Sequence, residues 1–232
     1  MRLTRWQLCF PVLLALGACS QTSSTPPTVD AGDETACQFS FVGDPAAEPE
    51  LVLTAMGDDN VVTVLEDGSR VPMMFPPQGG RVVFIGVRAR NVDPCGMELV
   101  GALRDPVSGL VRLDSRVVNL QPTTEGYSET VPGVISMWAN IPTCPNQWAR
   151  QDLYEQGFQL EFTVVERNGR STTRALTVTP FCGEVENLAD CMCICQQGYR
   201  LGQSCSPDGG TPSDGGMLDG SSRDGGTVGD AG

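Results

Sequence analysis

Short runs in which apolar and polar residues alternate dominate the middle of the chain and predict β-strands. In residues 81–92, Val83, Ile85 and Val87 share one face and Arg88 lies on the other. A period of two residues is typical of a strand with one buried face. Further strands are expected at residues 50–55, 98–104, 110–120 and 131–140.

The dipeptide Asp67-Gly68 separates two apolar runs and predicts a two-residue hairpin turn. The register of such a hairpin sets Val64 opposite Val71. Pro72 has no N–H to donate to a neighbouring strand, so its strand is expected at a sheet edge.

A second hairpin is predicted around Asn168-Gly169. A three-residue loop, residues 167–169 with Gly169 left-handed, satisfies burial and charge together, whereas a two-residue loop would place Leu176 opposite Glu161. The three-residue loop sets these residues opposite each other: Glu166 and Arg170, Leu160 and Leu176, Phe158 and Val178.

Many short strands with turn signals predict an all-β fold, an antiparallel immunoglobulin-like sandwich with a small disulfide-rich C-terminal cap and disordered ends. The only helix expected is a short one in residues 146–156. The predicted organisation is a signal peptide (1–18), a lipidated tether (19–36), the sandwich (37–182), the cysteine-rich cap (183–205) and an Asp/Gly-rich tail (206–232).

Composition and charge exclude some classes of function. The chain has 232 residues, no His and a net charge of −13, which disfavours nucleic-acid binding because like charges repel. Without His, neither Ser-His-Asp nor Cys-His catalysis is available. Two carboxylates could still support a hydrolase. The visible acidic clusters are Asp58-Asp59 and Glu184 with Glu186, and solvated loops are the ordinary explanation for both.

Cysteine usage indicates an oxidising compartment. If Cys9 leaves with a signal peptide and Cys19 carries lipid, an even number remains for disulfides. These candidates are Cys37, Cys95, Cys144, Cys182, Cys191, Cys193, Cys195 and Cys205. The first three are expected to form bridges within the sandwich, with one of them reaching Cys182.

The cysteines at 191, 193 and 195 alternate, so along an extended strand they would point the same way and could hold zinc or an iron–sulfur cluster. Oxidation is favoured in an exported chain, so neither a metal nor another cofactor is predicted. Pairing two residues apart would be strained, and each of the three is expected to find a distant partner.

The N-terminus combines Arg2 and Arg5 with an apolar run, residues 8–16, that is shorter than the roughly 20 residues of a membrane-spanning helix. The run ends in Leu16-Gly17-Ala18-Cys19, which resembles the lipobox of bacterial lipoproteins. That resemblance implies cleavage before Cys19, lipid on its thiol and acylation of the new N-terminus. In such lipoproteins an Asp after the cysteine often marks retention in the inner membrane, so Ser20 favours the outer membrane. Whether the protein faces the periplasm or the exterior is left open.

Two further resemblances concern the C-terminal end. Cys193-x-Cys195-x-x-Gly198-Tyr199-x5-Cys205 resembles the last half of an epidermal-growth-factor-like module, which implies a Cys195–Cys205 disulfide. The tail is similar in composition to Asp/Gly-rich tails of lipoproteins from predatory and gliding soil bacteria. Its aspartates, at 208, 214, 219 and 224, match no calcium-binding motif.

These observations favour a non-enzymatic lipoprotein, anchored in the outer membrane through Cys19, that presents the sandwich for a structural or binding role. Its partner would be an envelope protein or polysaccharide. The alternatives are a carboxylate-based hydrolase and a calcium-associated surface adhesion module. Trp138 and Trp148 are the most distinctive aromatics, and either packs in the sandwich or contacts a ligand.

Overall fold

The computed structural model describes residues 37–205. The predicted signal peptide, the predicted tether with Cys19 as its expected lipidation residue, and the Asp/Gly-rich tail lie outside the described residues. Within residues 37–205, no helix has the length and apolar character needed to cross a bilayer.

Eleven strands and one α-helix make up the regular structure of residues 37–205. The strands are β1 (Glu50–Met56), β2 (Val62–Val64), β3 (Ser69–Met73), β4 (Arg81–Arg90), β5 (Met97–Arg104), β6 (Val111–Val118), β7 (Gln121–Pro122), β8 (Ser128–Glu129), β9 (Ala139–Cys144), β10 (Phe158–Val165) and β11 (Ser171–Cys182). The helix is α1 (Leu188–Cys195).

The strands form two sheets. One has the order β2-β1-β4-β8-β7, with β9 also pairing with β4, and the other has the order β3-β11-β10-β5-β6. Every pairing is antiparallel except β3 with β11, which is parallel. The predicted all-β sandwich class is confirmed, as is the edge position of the strand that carries Pro72.

The core lies between the sheets and is built from the inward faces of the alternating strands. On β4, Ile85 and Val87 are fully buried, and on β10, Phe158, Leu160 and Phe162 are fully buried. Because successive side chains of a strand point to opposite faces, these periodic apolar positions can bury together. The apolar face predicted for β4 is buried, but the half-buried character is wrong: Phe84 on the opposite face is 4% exposed because it packs against Trp138, and only Arg90 at the end of the strand is exposed.

The second predicted hairpin is confirmed in its register. Phe158 pairs with Val178 and Leu160 with Leu176. The loop closes through a hydrogen bond from the Glu166 N–H to the Arg170 carbonyl (2.8 Å), and Gly169 is left-handed.

The first predicted hairpin is wrong. β2 pairs with β1, while β3 pairs with β11 in the other sheet, so Val64 does not face Val71. The chain still turns at Asp67-Gly68. Val64 is 51% exposed while Val71 is buried, so the two strands share no buried face, and the Gly68 N–H donates instead to the Thr177 carbonyl of β11 at 2.7 Å.

Two other predicted elements also differ from the structure. Residues 131–140 do not form one strand, because a 3₁₀ turn (Ile135–Met137) precedes β9. Residues 146–156 form turns and bends and contain no helix. The helix lies instead in the cysteine cluster, where none was expected. There, Cys191 and Cys195 are one helical turn apart and both are buried against the sandwich.

Candidate functional site

All eight cysteines of the described residues are paired. The four disulfides are Cys37–Cys95, Cys144–Cys195, Cys182–Cys191 and Cys193–Cys205. The prediction that these cysteines form disulfides is confirmed, and none pairs with a cysteine two residues away.

Two predicted connections are wrong. Cys205 pairs with Cys193 and not with Cys195, because α1 turns Cys193 away from the face that carries Cys191 and Cys195. Cys182 pairs with Cys191 in the cap, so no sandwich cysteine reaches it. Cys144 is the sandwich cysteine that crosses to the cap.

The Cys144–Cys195 bridge lies at the point where the cap, residues 183–205, meets the loop after β9. The Asn146 N–H donates to the Ile194 carbonyl at 2.8 Å, and the Leu153 N–H donates to the Cys195 carbonyl at 2.9 Å. These bonds satisfy carbonyls at the end of α1, which have no partner within the helix. The loop and the cap are therefore fixed to each other.

An open groove of about 580 Å³ lies between this loop and the cap. The residues that give it chemical character are Leu110, Trp148, Arg150, Tyr199, Arg200 and Leu201. Leu110 and Leu201 are exposed by 53% and 74%, so the groove presents apolar surface beside two cations. Within residues 37–205, neither arginine of the groove forms a salt bridge.

Asp105 holds one wall of the groove in place. Its fully buried carboxylate accepts the Val107 N–H (3.0 Å), the Ser108 N–H (3.1 Å) and the Arg150 N–H (2.8 Å). Burial acts to raise the pKa of this carboxyl, but hydrogen bonds from Ser108, Arg150 and Val107 outweigh it, so the pKa of Asp105 lies below its ordinary value. The loop between β5 and β6 and the loop after β9 are therefore joined through this one side chain.

Both candidate tryptophans serve the core. Trp138 is fully buried and its indole N–H donates to the Val131 carbonyl at 2.9 Å. Trp148 is 6% exposed and donates to the Thr143 carbonyl at 2.9 Å. The interpretation of Trp138 as a packing residue is confirmed, and Trp148 contributes only its small exposed edge to the groove.

One residue of the acidic clusters noted in the sequence, Glu184, lies beside a buried arginine together with Asp190. Glu184 lies 3.5 Å from the Arg81 guanidinium, which is 1% exposed, and Asp190 lies 3.5 Å from its other terminal nitrogen. Burial, with the nearby charges of Glu184 and Asp59, raises the pKa of Asp58. Arg81 belongs to β4, so this cluster links the cap to the sandwich.

A second, smaller hollow of about 340 Å³ lies on the other sheet, beside Arg88. Its arginine is already neutralised, because Glu125 lies 2.5 Å and Glu129 lies 3.3 Å from the guanidinium. The groove beside the cap differs from it in that its two arginines form no ion pair within residues 37–205.

Sequence reasoning did not find the groove, although one signal for it was present. Asp105-Pro106 followed by Ser108-Gly109 is the composition of a turn whose first side chain caps the following N–H groups. That this turn would pack against the loop after β9 depends on tertiary contacts.

No protein-family model, no curated protein and no solved structure matches this chain.

Proposed function

We propose that the chain is a non-enzymatic lipoprotein of the bacterial outer membrane, held there by lipid on Cys19, and that it presents the sandwich to a partner in the envelope. The pairing of all eight described cysteines carries this proposal. Disulfides persist in exported proteins and are rare where thiols are kept reduced. The lipobox and the cysteine pairing therefore point to the same compartment.

The groove beside the cap is the proposed binding face. Exposed leucines, a half-buried tyrosine and two arginines without an acidic partner in the described region suit a partner that carries both apolar surface and negative charge. Arginine and tyrosine are enriched where proteins bind one another. Although the chain carries a net charge of −13, the two arginines make this groove locally positive, and an anionic polysaccharide or an acidic protein of the envelope fits that local chemistry.

The hydrolase alternative has one observation in its favour, the raised pKa of Asp58 near Glu184. Two neighbouring carboxyl groups are the arrangement that glycosidases use. However, Glu184 contacts Arg81 and also accepts the Phe75 N–H at 2.8 Å, which assigns it a structural role. The calcium-adhesion alternative concerns the tail, which lies outside the described residues.

Replacing the anchoring cysteine tests the location. Cys19→Ser should release the protein from the outer-membrane fraction of its host and leave the fold unchanged, because several acyl chains are needed for stable attachment. Cys9→Ser is the matched control and should remain membrane-bound. If Cys19→Ser stays in the membrane fraction and carries its lipid mass, the anchor is assigned to the wrong residue.

Replacing the groove arginines tests the binding face. Arg150→Ala with Arg200→Ala should abolish retention of the protein on immobilised polygalacturonate, an acidic polysaccharide, whereas neutral dextran should retain neither form. Arg90→Ala removes an exposed arginine on β4 and is the control. Equal retention of all three proteins would contradict the assignment of the groove.

A further inference from the structure

Four sulfur atoms converge where the cap meets the sandwich. The Sγ atoms of Cys182, Cys191 and Cys195 all lie within 4.8 Å of one another. Cys144 is bonded to Cys195, so its sulfur joins the same cluster. Two disulfides are thus in direct contact, and four cysteines from β9, β11 and α1 meet at one point.

One distance within this cluster, between two sulfurs that are not bonded to each other, is close to the ligand spacing of a tetrahedral metal site. Zinc binds thiolate sulfur at about 2.3 Å, which places two ligands of a tetrahedron roughly 3.8 Å apart. The Sγ atoms of Cys191 and Cys195 are 3.9 Å apart although no bond joins them. Their position one turn apart on α1 sets this distance, since such residues lie on the same helix face.

The cluster lies largely in the interior. Cys191, Cys195 and Cys144 are 1%, 0% and 6% exposed and Cys182 is half-buried, so solvent has little access to three of the four sulfurs. Arg81, the backbone neighbour of Cys144 across the β4–β9 pair, is itself paired with Glu184 and Asp190, each 3.5 Å from its guanidinium. Low access of solvent suits a structural zinc site, in which protein ligands fill all four positions.

We propose that reduction of Cys144–Cys195 and Cys182–Cys191 converts this cluster into a Cys₄ zinc site. Reduction by an external thiol or phosphine breaks two S–S bonds with four electrons and yields four thiols, which release four protons when they bind one Zn²⁺. In the reverse direction, two external disulfides accept four electrons and become four thiols, while both bridges re-form and Zn²⁺ leaves.

Either state joins α1 to β9 and β11, so the zinc site takes over the structural role of the two bridges. The remaining disulfides, Cys37–Cys95 and Cys193–Cys205, contribute no sulfur to the cluster. This inference depends on the geometry of the cysteines and not on the lipid anchor or on the groove.

Cobalt substitution tests the proposal. The full-length mature chain is reduced with a phosphine without oxygen and titrated with Co²⁺ alone. One equivalent should produce the thiolate charge-transfer and ligand-field absorption of tetrahedral Co²⁺, and one equivalent of Zn²⁺ should abolish it. Cys193→Ser with Cys205→Ser is the matched control and should give the same spectrum.

Substitution of a proposed zinc ligand supplies the result that would contradict the proposal. Cys191→Ser should weaken Co²⁺ binding by more than the roughly 10- to 100-fold that loss of an outer-shell partner causes. An unchanged spectrum in this variant, or no tetrahedral spectrum in the parent, would overturn the proposal. If the reduced chain loses its β circular dichroism, Zn²⁺ must restore it, and failure to do so counts equally against the site.

Discussion

Two turns of this molecule carry similar dipeptides, yet one connects strands of the same sheet and the other connects strands of different sheets. Asn168-Gly169 closes a hairpin within one sheet, whereas Asp67-Gly68 passes the chain from one sheet to the other. The glycine is left-handed in both turns, with φ of 84° and 82°. The turn residues therefore specify a reversal of the chain, but they do not specify which strand the chain joins next.

The difference between the two turns lies in their flanking strands. Before and after Asn168-Gly169, Phe158 and Val178 lie directly opposite each other and are buried. Before Asp67-Gly68, Val64 is 51% exposed, while Val71 after it is 1% exposed. Two strands that do not share a buried face gain little from pairing, since burial of cross-strand pairs stabilises a sheet.

The largest expected effect comes from the ion pair that closes the true hairpin. Arg170→Ala leaves the buried Glu166 carboxylate without its cation and should lower the free energy of unfolding by about 3 kcal/mol in urea denaturation. Arg70→Ala, near the crossing turn, removes an ion pair with Glu155 in which both side chains are more than half exposed. It should cost below about 1 kcal/mol. Equal costs would remove this distinction between the turns.

A third turn, between β5 and β6, adds pH dependence to the comparison. Asp105→Asn should cost about 2 kcal/mol at pH 7, because the carboxylate accepts three N–H groups. The pKa of Asp105 is lowered by folding, so its contribution is complete above the unfolded pKa and is lost as the pH falls through the folded value. In urea titrations at several pH values, the free energies of unfolding of the parent and of Asp105→Asn should therefore approach each other as the pH falls.

Asp58→Asn is the matched control for that titration. Burial raises the pKa of Asp58, so the sign is reversed: stability from the protonated form is present at low pH and is lost as the pH rises through the folded pKa. The variant should be no less stable than the parent at pH 7. Destabilisation there would contradict the described environment of Asp58.

The two turn glycines should respond alike. An added Cβ meets no atom within 4 Å at either Gly68 or Gly169, so the only cost of alanine is the left-handed backbone. Each Gly→Ala change should cost about 1–2 kcal/mol in thermal or urea unfolding. A large difference between them would show that the two turns differ in backbone conformation.

A smaller effect than that of the glycines should come from the side chain that joins the crossing turn to β11. The Asp67 carboxylate accepts the Thr177 N–H of β11 at 2.7 Å. Asp67→Ala should therefore cost about 1 kcal/mol, the usual net value of one hydrogen bond. Asn168→Ala removes only a local bond to the Arg170 N–H and is the control, for which a smaller loss is expected. A greater loss in the control would contradict this ranking.

Sequence patterns predicted those parts of the fold that depend on local periodicity. The strands β1, β4, β5, β6, β10 and β11 and the register of the second hairpin follow from alternation and from one charge pair. The sheet to which β3 belongs could not be predicted, because its partner β11 lies more than one hundred residues away.

The disulfide pairing of the cap could not be predicted from local sequence patterns either. No helix was predicted at the alternating cysteines, although the run Leu188–Cys195 has helix-compatible residues and no β-branched residue except Ile194. The helix then decides which sulfurs face the sandwich, and with them the disulfide pairing. The groove depends in turn on Asp105, whose contact with the Arg150 N–H links residues 45 positions apart.

The central structural claim is that Cys195 joins the cap to the sandwich while Cys193 closes the last loop of the cap. Mass spectrometry of peptides cleaved from the natural protein without reduction tests this directly. The account predicts cross-linked peptides containing Cys144–Cys195 and Cys193–Cys205. A peptide linking Cys195 to Cys205, or free thiols at these positions, would contradict it.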